Sequence, residues 1–336
     1  LLQISSRKET AVVDPLAVSS LAPLGELLAN PEIEIVFHDG DYDLRLLHQE
    51  YGFGAVALFD TRIAAQLLNE PGVGLAALLE KYLGVRLDKR FQRADWSARP
   101  LSQEMLEYAA ADTRHLPELR DILRHRLQER GRLDWAQEEF QTLSGVRWPT
   151  ATPEQNGFLR IKGARTLGSR ELAILRELFY WRQDVAQRTD RAAFRILNNE
   201  PMLAMAKSPP GDLQALKEIR GLGPDQAERR GREILAAVQR GVQVPEDQLP
   251  SIPRTPRRPY DPAYDARLER LKAARNRLAE KFDLQPGVLC ANGVLESIAR
   301  VNPATLEQMG DVPELRRWQL REFGGELLTA LQMPAT

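Results

Sequence analysis

Cysteine and histidine are scarce in this chain of 336 residues, which has one cysteine, Cys290, and four histidines. A lone cysteine cannot form an internal disulfide, which is typical of a reducing compartment, so we expect a cytoplasmic protein. So few Cys and His residues also argue against a zinc site. The sequence has no apolar run of membrane-spanning length and no charged-then-apolar leader, so we expect neither membrane contact nor export.

The net charge of −1 conceals an uneven distribution along the chain. Residues 1–150 carry 17 Lys and Arg against 23 Asp and Glu, whereas residues 151–241 carry 16 against 11. An acidic segment followed by a basic one suits a carboxylate site beside a phosphate-binding surface. Ordinary solvated faces explain the same charges equally well.

Short β runs alternate with helical patterns through the first 148 residues. The predicted strands are LLQIS (1–5), TAVVDPL (10–16), EIEIVFHDG (32–40) and VALFDT (56–61). This alternation predicts an α/β fold, in which ligands bind at the carboxyl ends of strands. A serine should cap the helix in SSLAPLGELLANP (19–31), and Pro117 should kink or restart the helix that runs from Ser102 to Arg130.

Two helical regions, 154–241 and 263–333, flank a proline-rich linker over 242–262 that should run extended. They look like copies, because Leu178, Arg182 and Asn199 recur 93 positions later as Leu271, Arg275 and Asn292. Repetition without a gap indicates a duplicated domain. The turn IRGLGP (219–224) is not repeated. The backbone N–H groups of this turn could bind a phosphate, which makes the first copy the better candidate for binding nucleic acid. A plain helix–helix turn is an equal alternative.

Acidic residues follow two of the predicted strands. Asp39 or Asp41 should serve as the N-cap of the next helix, and Asp60 as the N-cap of the helix after LFD. Asp43 lies one turn further into its helix, where capping does not explain it. It is therefore a candidate for a carboxylate with a chemical role.

Tyr108 and Asp112 lie four residues apart in EYAAADTRHL (107–116), so they share one helix face, and the alanines around them permit close approach. Asp43 and Asp112 would form half of a carboxylate cage for hard divalent cations. Two-metal phosphoryl hydrolases hold their ions about 3.5–4 Å apart, where the ions stabilise the attacking and leaving oxygens. In such a site Tyr108, beside Asp112, would hydrogen-bond the attacking water. A simple surface pair is the alternative interpretation of the Tyr–Asp spacing.

Several segments resemble ribonuclease D, a 3′–5′ exoribonuclease family of the DEDD superfamily. They are FHDGDYDLRLL, LFDTRIAAQLL, the stretch from LGVRLDKRFQRADW to EYAAADTRHL, and the duplicated helical tail. The resemblance implies a ribonuclease H-like α/β exonuclease domain over 1–148 and two all-α helicase-and-ribonuclease-D C-terminal (HRDC) domains. It makes Asp43 the second-motif aspartate and Tyr108 and Asp112 the third-motif pair of the tyrosine subclass. It also implies two Mg²⁺ or Mn²⁺ ions and processing of RNA 3′ ends, such as those of tRNA precursors.

The chain departs from the family at its first motif. An Asp-x-Glu on a strand before LLQIS is absent, so we expect a fragment or processed product with an incomplete site. In the family fold that strand is central, between LLQIS and EIVF. Its loss would leave a slot of about 10 Å, or two strand spacings. We therefore expect this chain alone to be inactive or poorly folded.

Five further residues are candidates for binding substrate. His38 and Tyr42 flank Asp43, while Lys89, Arg93 and Trp96 combine cations with an aromatic ring, as single-stranded RNA grooves do. Instead of binding substrate, His38 could simply be held in place by a hydrogen bond. Trp96 could instead anchor the hydrophobic core. The competing function is a non-catalytic RNA- or DNA-binding module with a degenerate nuclease fold, and a DNA-proofreading exonuclease would share the same chemistry.

Overall fold

The computed structural model describes residues 1–88, 90–92, 94–148, 156–252 and 261–333, with the exception of the side chain of Pro224. The chain divides into two compact units. The first, here the α/β unit, comprises Leu1–Pro149 and Tyr260–Thr336, and the second, the helical unit, comprises Thr150–Pro259. The second helical copy thus belongs to the same compact unit as the α/β region. No helix in the described ranges has the length and apolarity needed to span a bilayer.

The strands form two small sheets. β1 (Leu2–Ser5) pairs antiparallel with β2 (Thr10–Val13), and β3 (Ile35–Phe37) pairs parallel with β4 (Leu58–Asp60). Within the described residues no strand joins the two sheets. All residues of β4 are buried, whereas those of β3 are only half-buried.

Helices pack around the two small sheets and supply most of the core of this region. They are α1 (Ala22–Ala29), α2 (Asp41–Tyr51), α3 (Thr61–Leu67), α4 (Leu75–Leu83), α5 (Gln103–Arg114), α6 (Leu116–Glu129) and α7 (Leu133–Ser144). In α6, Leu119, Leu123 and Leu127 are fully buried because residues four apart share one helix face. Pro117 lies in the first turn of α6, so the predicted long helix restarts there.

Two of the capping predictions were wrong. The N-cap of α1 is Leu21, and the Ser20 hydroxyl only accepts a hydrogen bond from the Ala22 N–H. The N-cap of α2 is Gly40, without a side-chain cap. Asp39 cannot fill that role because its backbone is left-handed, with φ of 62°, and its carboxylate pairs with Arg62 at 2.7 Å, while Asp41 pairs with Arg45.

The two helical copies follow the same plan. The first contains α8 (Ser169–Arg188), α9 (Ala193–Ile196), α10 (Asn199–Lys207), α11 (Leu213–Lys217) and α12 (Pro224–Val242). The second contains α13 (Pro262–Lys281), α14 (Pro286–Leu289), α15 (Asn292–Val301), α16 (Leu306–Gly310) and α17 (Arg317–Gln332). All five helices just named in the first copy begin 93 residues before their counterparts in the second, so the duplication seen in the sequence extends to the helix boundaries.

The second copy shares a hydrophobic core with the α/β region. Trp135 of α7 stacks on Trp318 of α17, with ring centroids 4.4 Å apart. The Glu138 carboxylate accepts hydrogen bonds from the backbone N–H groups of Arg317 and Trp318 and so caps α17, and Glu139 accepts one from the Trp318 indole. These contacts make the second copy part of the α/β unit's packing.

Candidate active site

Asp60 forms hydrogen bonds to the N-termini of both α2 and α3, the helices that follow β3 and β4. Its carboxylate is fully buried, accepts hydrogen bonds from the N–H groups of Arg62 and Ile63, and so is the N-cap of α3 as predicted. Its second oxygen accepts a bond of 2.8 Å from the Gly40 N–H at the start of α2. One buried carboxylate thereby fixes two helix N-termini and sets the first turn of α2, which carries Asp43.

Asp43 lies in that first turn in an electronegative setting. Part of its side chain reaches solvent, but the surrounding protein removes water from the carboxyl, and this desolvation raises its pKa. The charges of Asp39 and Asp60 raise that pKa further. Within the described chain no basic side chain forms an ion pair with Asp43. The carboxylate therefore lacks a neutralising cation.

Tyr108 and Asp112 occupy one face of α5. Desolvation raises the pKa of the Tyr108 phenol, and the negative charge of Asp112 raises it further. The pKa of the Asp112 carboxyl is raised by desolvation, and no ion pair offsets this among the residues described. The neighbouring Thr113 hydroxyl lies 2.8 Å from the Ser5 hydroxyl, which anchors α5 to β1.

Two aromatic rings hold the ring of Tyr108. Phe91 contacts it edge-on and Trp96 contacts it at a tilt of 37°, both with centroids 5.9 Å away. The Trp96 indole also donates to the Phe91 carbonyl at 3.2 Å. Trp96 is half-buried, so it packs around Tyr108 instead of anchoring the core. Lys89 and Arg93, the other candidates in this loop, lie outside the described residues.

His38 and Tyr42 differ in how firmly they are held. The Thr61 hydroxyl donates to the Phe37 carbonyl, and His38 Nδ1 lies 2.9 Å from the same hydroxyl oxygen. Nδ1–H is therefore the donor, and Nε2 of the neutral ring is left as an acceptor. Burial lowers the pKa of His38, which favours this neutral form. Tyr42 is 63% exposed and contacts the ring of Trp148 edge-on.

The described contacts therefore define two groups of candidate residues. Asp43 is grouped with Asp39 and Asp60, and Tyr108 with Asp112 and the aromatic rings. No cluster of three or more His, Cys, Asp or Glu side chains that would hold a metal occurs in the described part of the chain. Mg²⁺ is commonly bound by one or two carboxylates together with water and substrate phosphate. Asp43 and Asp112, two carboxylates without a cationic partner, fit that chemistry.

Comparison with protein families covers most of the chain. Residues 1–128 match a family model described as a 3′-5′ exonuclease. Residues 171–238 and 265–331 each match the HRDC domain. The exonuclease match includes every candidate site residue named above from His38 to Asp112, and the two HRDC matches coincide with the duplicated helices.

Individual relatives give the same result. A ribonuclease D of Gluconacetobacter diazotrophicus is 36% identical over 332 residues, which is 98% of this chain and 82% of that protein. Ribonuclease D of Escherichia coli is 33% identical over 251 residues, covering 74% of this chain and 66% of its own length. The crystal structure of Escherichia coli RNase D, described as an exoribonuclease involved in structured RNA processing, has a TM-score of 0.70 at 27% identity and covers 98% of this chain and 87% of that one.

Proposed function

Because this chain belongs to the ribonuclease D family, and is thus a nuclease with a 3′-5′ exonuclease domain, we propose that it removes nucleotides one at a time from RNA 3′ ends. The RNase D relative of known structure is described as acting in structured RNA processing, which supports tRNA precursors or similar RNAs as substrates. The observation that carries the proposal is the placement of Tyr108 and Asp112 four residues apart on one face of α5, within the segment that matches the exonuclease family.

The fold of this family implies divalent metal use, and the proposed ligands are Asp43 and Asp112, with Mg²⁺ or Mn²⁺ as the ions. Bound ions would activate the attacking water and stabilise the leaving oxygen of the phosphodiester. The raised pKa of the Tyr108 phenol favours its protonated form, which can hydrogen-bond that water. Phe91 and Trp96 fix the plane of the phenol ring and so limit the positions of its hydroxyl.

The proposal assigns the remaining candidates to the substrate. His38 and Tyr42 would contact the terminal nucleotide, and Lys89, Arg93 and Trp96 would contact the strand behind it. A two-metal site needs about four carboxylates, and Asp43 and Asp112 supply two. We therefore expect the 336-residue chain alone to be inactive on RNA.

The test uses the full-length gene product and the 336-residue chain side by side. Each is incubated with a 5′-labelled RNA hairpin that carries a 3′ tail, with Mg²⁺, Mn²⁺ or EDTA. We expect stepwise shortening from the 3′ end and release of nucleoside 5′-monophosphates, and a 3′-phosphorylated RNA as control should resist. Endonucleolytic products would contradict the proposed direction, and robust turnover by the 336-residue chain would contradict the assignment of an incomplete site.

The same assay separates the competing functions. A DNA strand of the same sequence tests the proofreading alternative, which predicts faster hydrolysis of DNA than of RNA. A binding module without catalysis would retain the RNA without shortening it in either protein. The full-length Asp112→Asn variant is the matched control, because it removes one proposed metal ligand and preserves the size of the side chain.

A further inference from the structure

In the nuclease region, residues 1–148, the chain passes from β3 into α2 through the turn 37–40, which packs against the junction 60–62 between β4 and α3. Each residue of the turn has a partner in the junction. The pairs are Phe37 and His38 with Thr61, Asp39 with Arg62, and Gly40 with Asp60. The packing is close, since a Cβ on residue 40 would lie only 2.8 Å from that of Phe37. The junction therefore fixes the path of the chain into α2.

Asp60 does more in this junction than cap α3. Its carboxylate is fully buried, and no basic side chain in the described ranges forms an ion pair with it. Three backbone N–H groups accommodate its charge, those of Gly40, Arg62 and Ile63. Burying a charge is costly unless it is well hydrogen-bonded, and Ser, Thr or Asn would cap α3 without a charge. The second carboxylate oxygen is what requires Asp, and that oxygen bonds to the start of α2.

The Gly40 N–H that Asp60 accepts belongs to the N-cap of α2, and Asp43 follows three residues later in the first turn. The Leu44 N–H donates to the Gly40 carbonyl at 2.9 Å and so closes that turn. The Leu44 side chain is fully buried, which packs the turn against the core. Because the residues of a helical turn move together, the position of Gly40 sets that of the Asp43 carboxylate.

Divalent ions respond strongly to ligand position. Mg²⁺ demands near-ideal octahedral geometry at distances of about 2.0–2.1 Å, so a displaced carboxylate binds it poorly. We propose that Asp60 is a positioning residue for the divalent-ion site, which holds Asp43 in place through the Gly40 N–H. This inference rests on the proposed function for the role of Asp43 as a ligand. It adds a buried residue that acts on the ion only through Asp43.

The test measures Mn²⁺ affinity of the full-length gene product by the loss of the free-ion electron paramagnetic resonance signal, which does not depend on hydrolysis. In Asp60→Asn, the amide orientation that keeps both bonds to α3 turns its NH₂ group toward the Gly40 N–H, donor against donor. Kd should rise about 10- to 100-fold, the usual cost of losing a group that orients a metal ligand. Asp60→Ser still caps α3 but is too short to reach Gly40, so it should weaken binding similarly and provides a second variant.

Asp39→Asn separates positioning from charge. The charge of Asp39 acts on Asp43 as that of Asp60 does, but the Asp39 side chain is 57% exposed and pairs with Arg62. Asn readily adopts the left-handed backbone of residue 39, so the change removes the charge and preserves the turn. It should weaken Mn²⁺ binding by less than about fivefold, the most that an exposed charge pair is usually worth. Equal weakening by Asp39→Asn and Asp60→Asn would overturn the proposal, because charge alone would then explain both.

Ala64→Gly controls for loss of stability in α3. Ala64 is fully buried one turn from Asp60, and glycine inside a helix is destabilising, but the bond to Gly40 stays intact. This variant should lower Tm and leave the Kd for Mn²⁺ nearly unchanged. A rise in Kd like that of Asp60→Asn would overturn the proposal.

Asp43→Asn distinguishes a failure of this inference from a failure of the proposed function. If Asp43→Asn binds Mn²⁺ like the parent, Asp43 is not a ligand and the proposed function is contradicted. If Asp43→Asn binds weakly while both Asp60 variants bind like the parent, only the positioning role of Asp60 is overturned.

Discussion

Replacing Trp318 with alanine should destabilise the nuclease region although the residue belongs to the second helical copy. Trp318 is 1% exposed, stacks on Trp135, and donates its indole N–H to Glu139. Truncating a fully buried aromatic costs about 3–5 kcal/mol. The loss also leaves Glu139 without the indole donor, which adds to the cost. We therefore expect a drop of about 3–5 kcal/mol in the free energy of unfolding, a large share of the stability of a typical domain.

Urea unfolding gives the size of the effect, and hydrogen–deuterium exchange of peptides gives its location. Exchange should accelerate in α3 and α7 as well as in α17, while α8 and α12 of the helical unit keep their protection. The control is Asp225→Ala at the corresponding position of the first copy, where the exposed side chain should change stability by less than about 0.5 kcal/mol. Unchanged protection in α7 would refute the view that the second copy and the nuclease region share one core.

Three further predictions concern the site. The raised pKa of Asp43 means that folding favours its protonated carboxyl. The stability contributed by this protonated group is therefore fully present below the ordinary Asp pKa and is lost as pH rises through the raised pKa. Asp43→Asn should therefore raise Tm at pH 7 in EDTA, change it little at pH 3, and abolish the rise in Tm that Mg²⁺ gives the parent, as differential scanning fluorimetry would show. In the full-length protein, Tyr108→Phe should lower kcat by about 10²-fold with little change in KM, because it removes only the hydrogen bond to the attacking water; a change confined to KM would assign Tyr108 to substrate binding. Phe91→Leu should lower kcat less than Tyr108→Phe does, and combining the two changes should cost little more than Tyr108→Phe alone, since Phe91 acts through the phenol.

Much of this architecture could be predicted because it is encoded locally. The restart of the helix at Pro117 follows from the missing N–H of proline, and the left-handed end of α2 at Gly52 from the lack of a Cβ. The 93-residue repeat predicted two copies of one helical domain, and partly buried hydrogen bonds such as Arg182–Asn199 explain why those residues recur. Each of these signals lies within one element or one repeat.

Contacts between elements could not be predicted in the same way. Asp60 was expected as a cap of α3, but its bond to the Gly40 N–H depends on how β3 and β4 pair. Phe91 has no pattern that identifies it as a neighbour of Tyr108, because a loop brings the two rings together. The contact between Glu138 and the second copy could not be predicted from the sequence either. A glutamate on α7 has the pattern of an ordinary solvated helical residue, and its role as a cap depends on the position of α17.

In the proposed function, Asp43 and Asp112 together hold a divalent ion. Its most direct test is Mn²⁺ binding to the 336-residue chain, measured by the loss of the free-ion electron paramagnetic resonance signal. Asp43→Asn and Asp112→Asn should each weaken binding at least about tenfold, and the double variant should bind no more weakly than either, because one site is already lost. Asp41→Asn, two residues from Asp43 and paired with Arg45, should bind like the parent. Additive losses, or binding that survives both changes, would contradict a shared site.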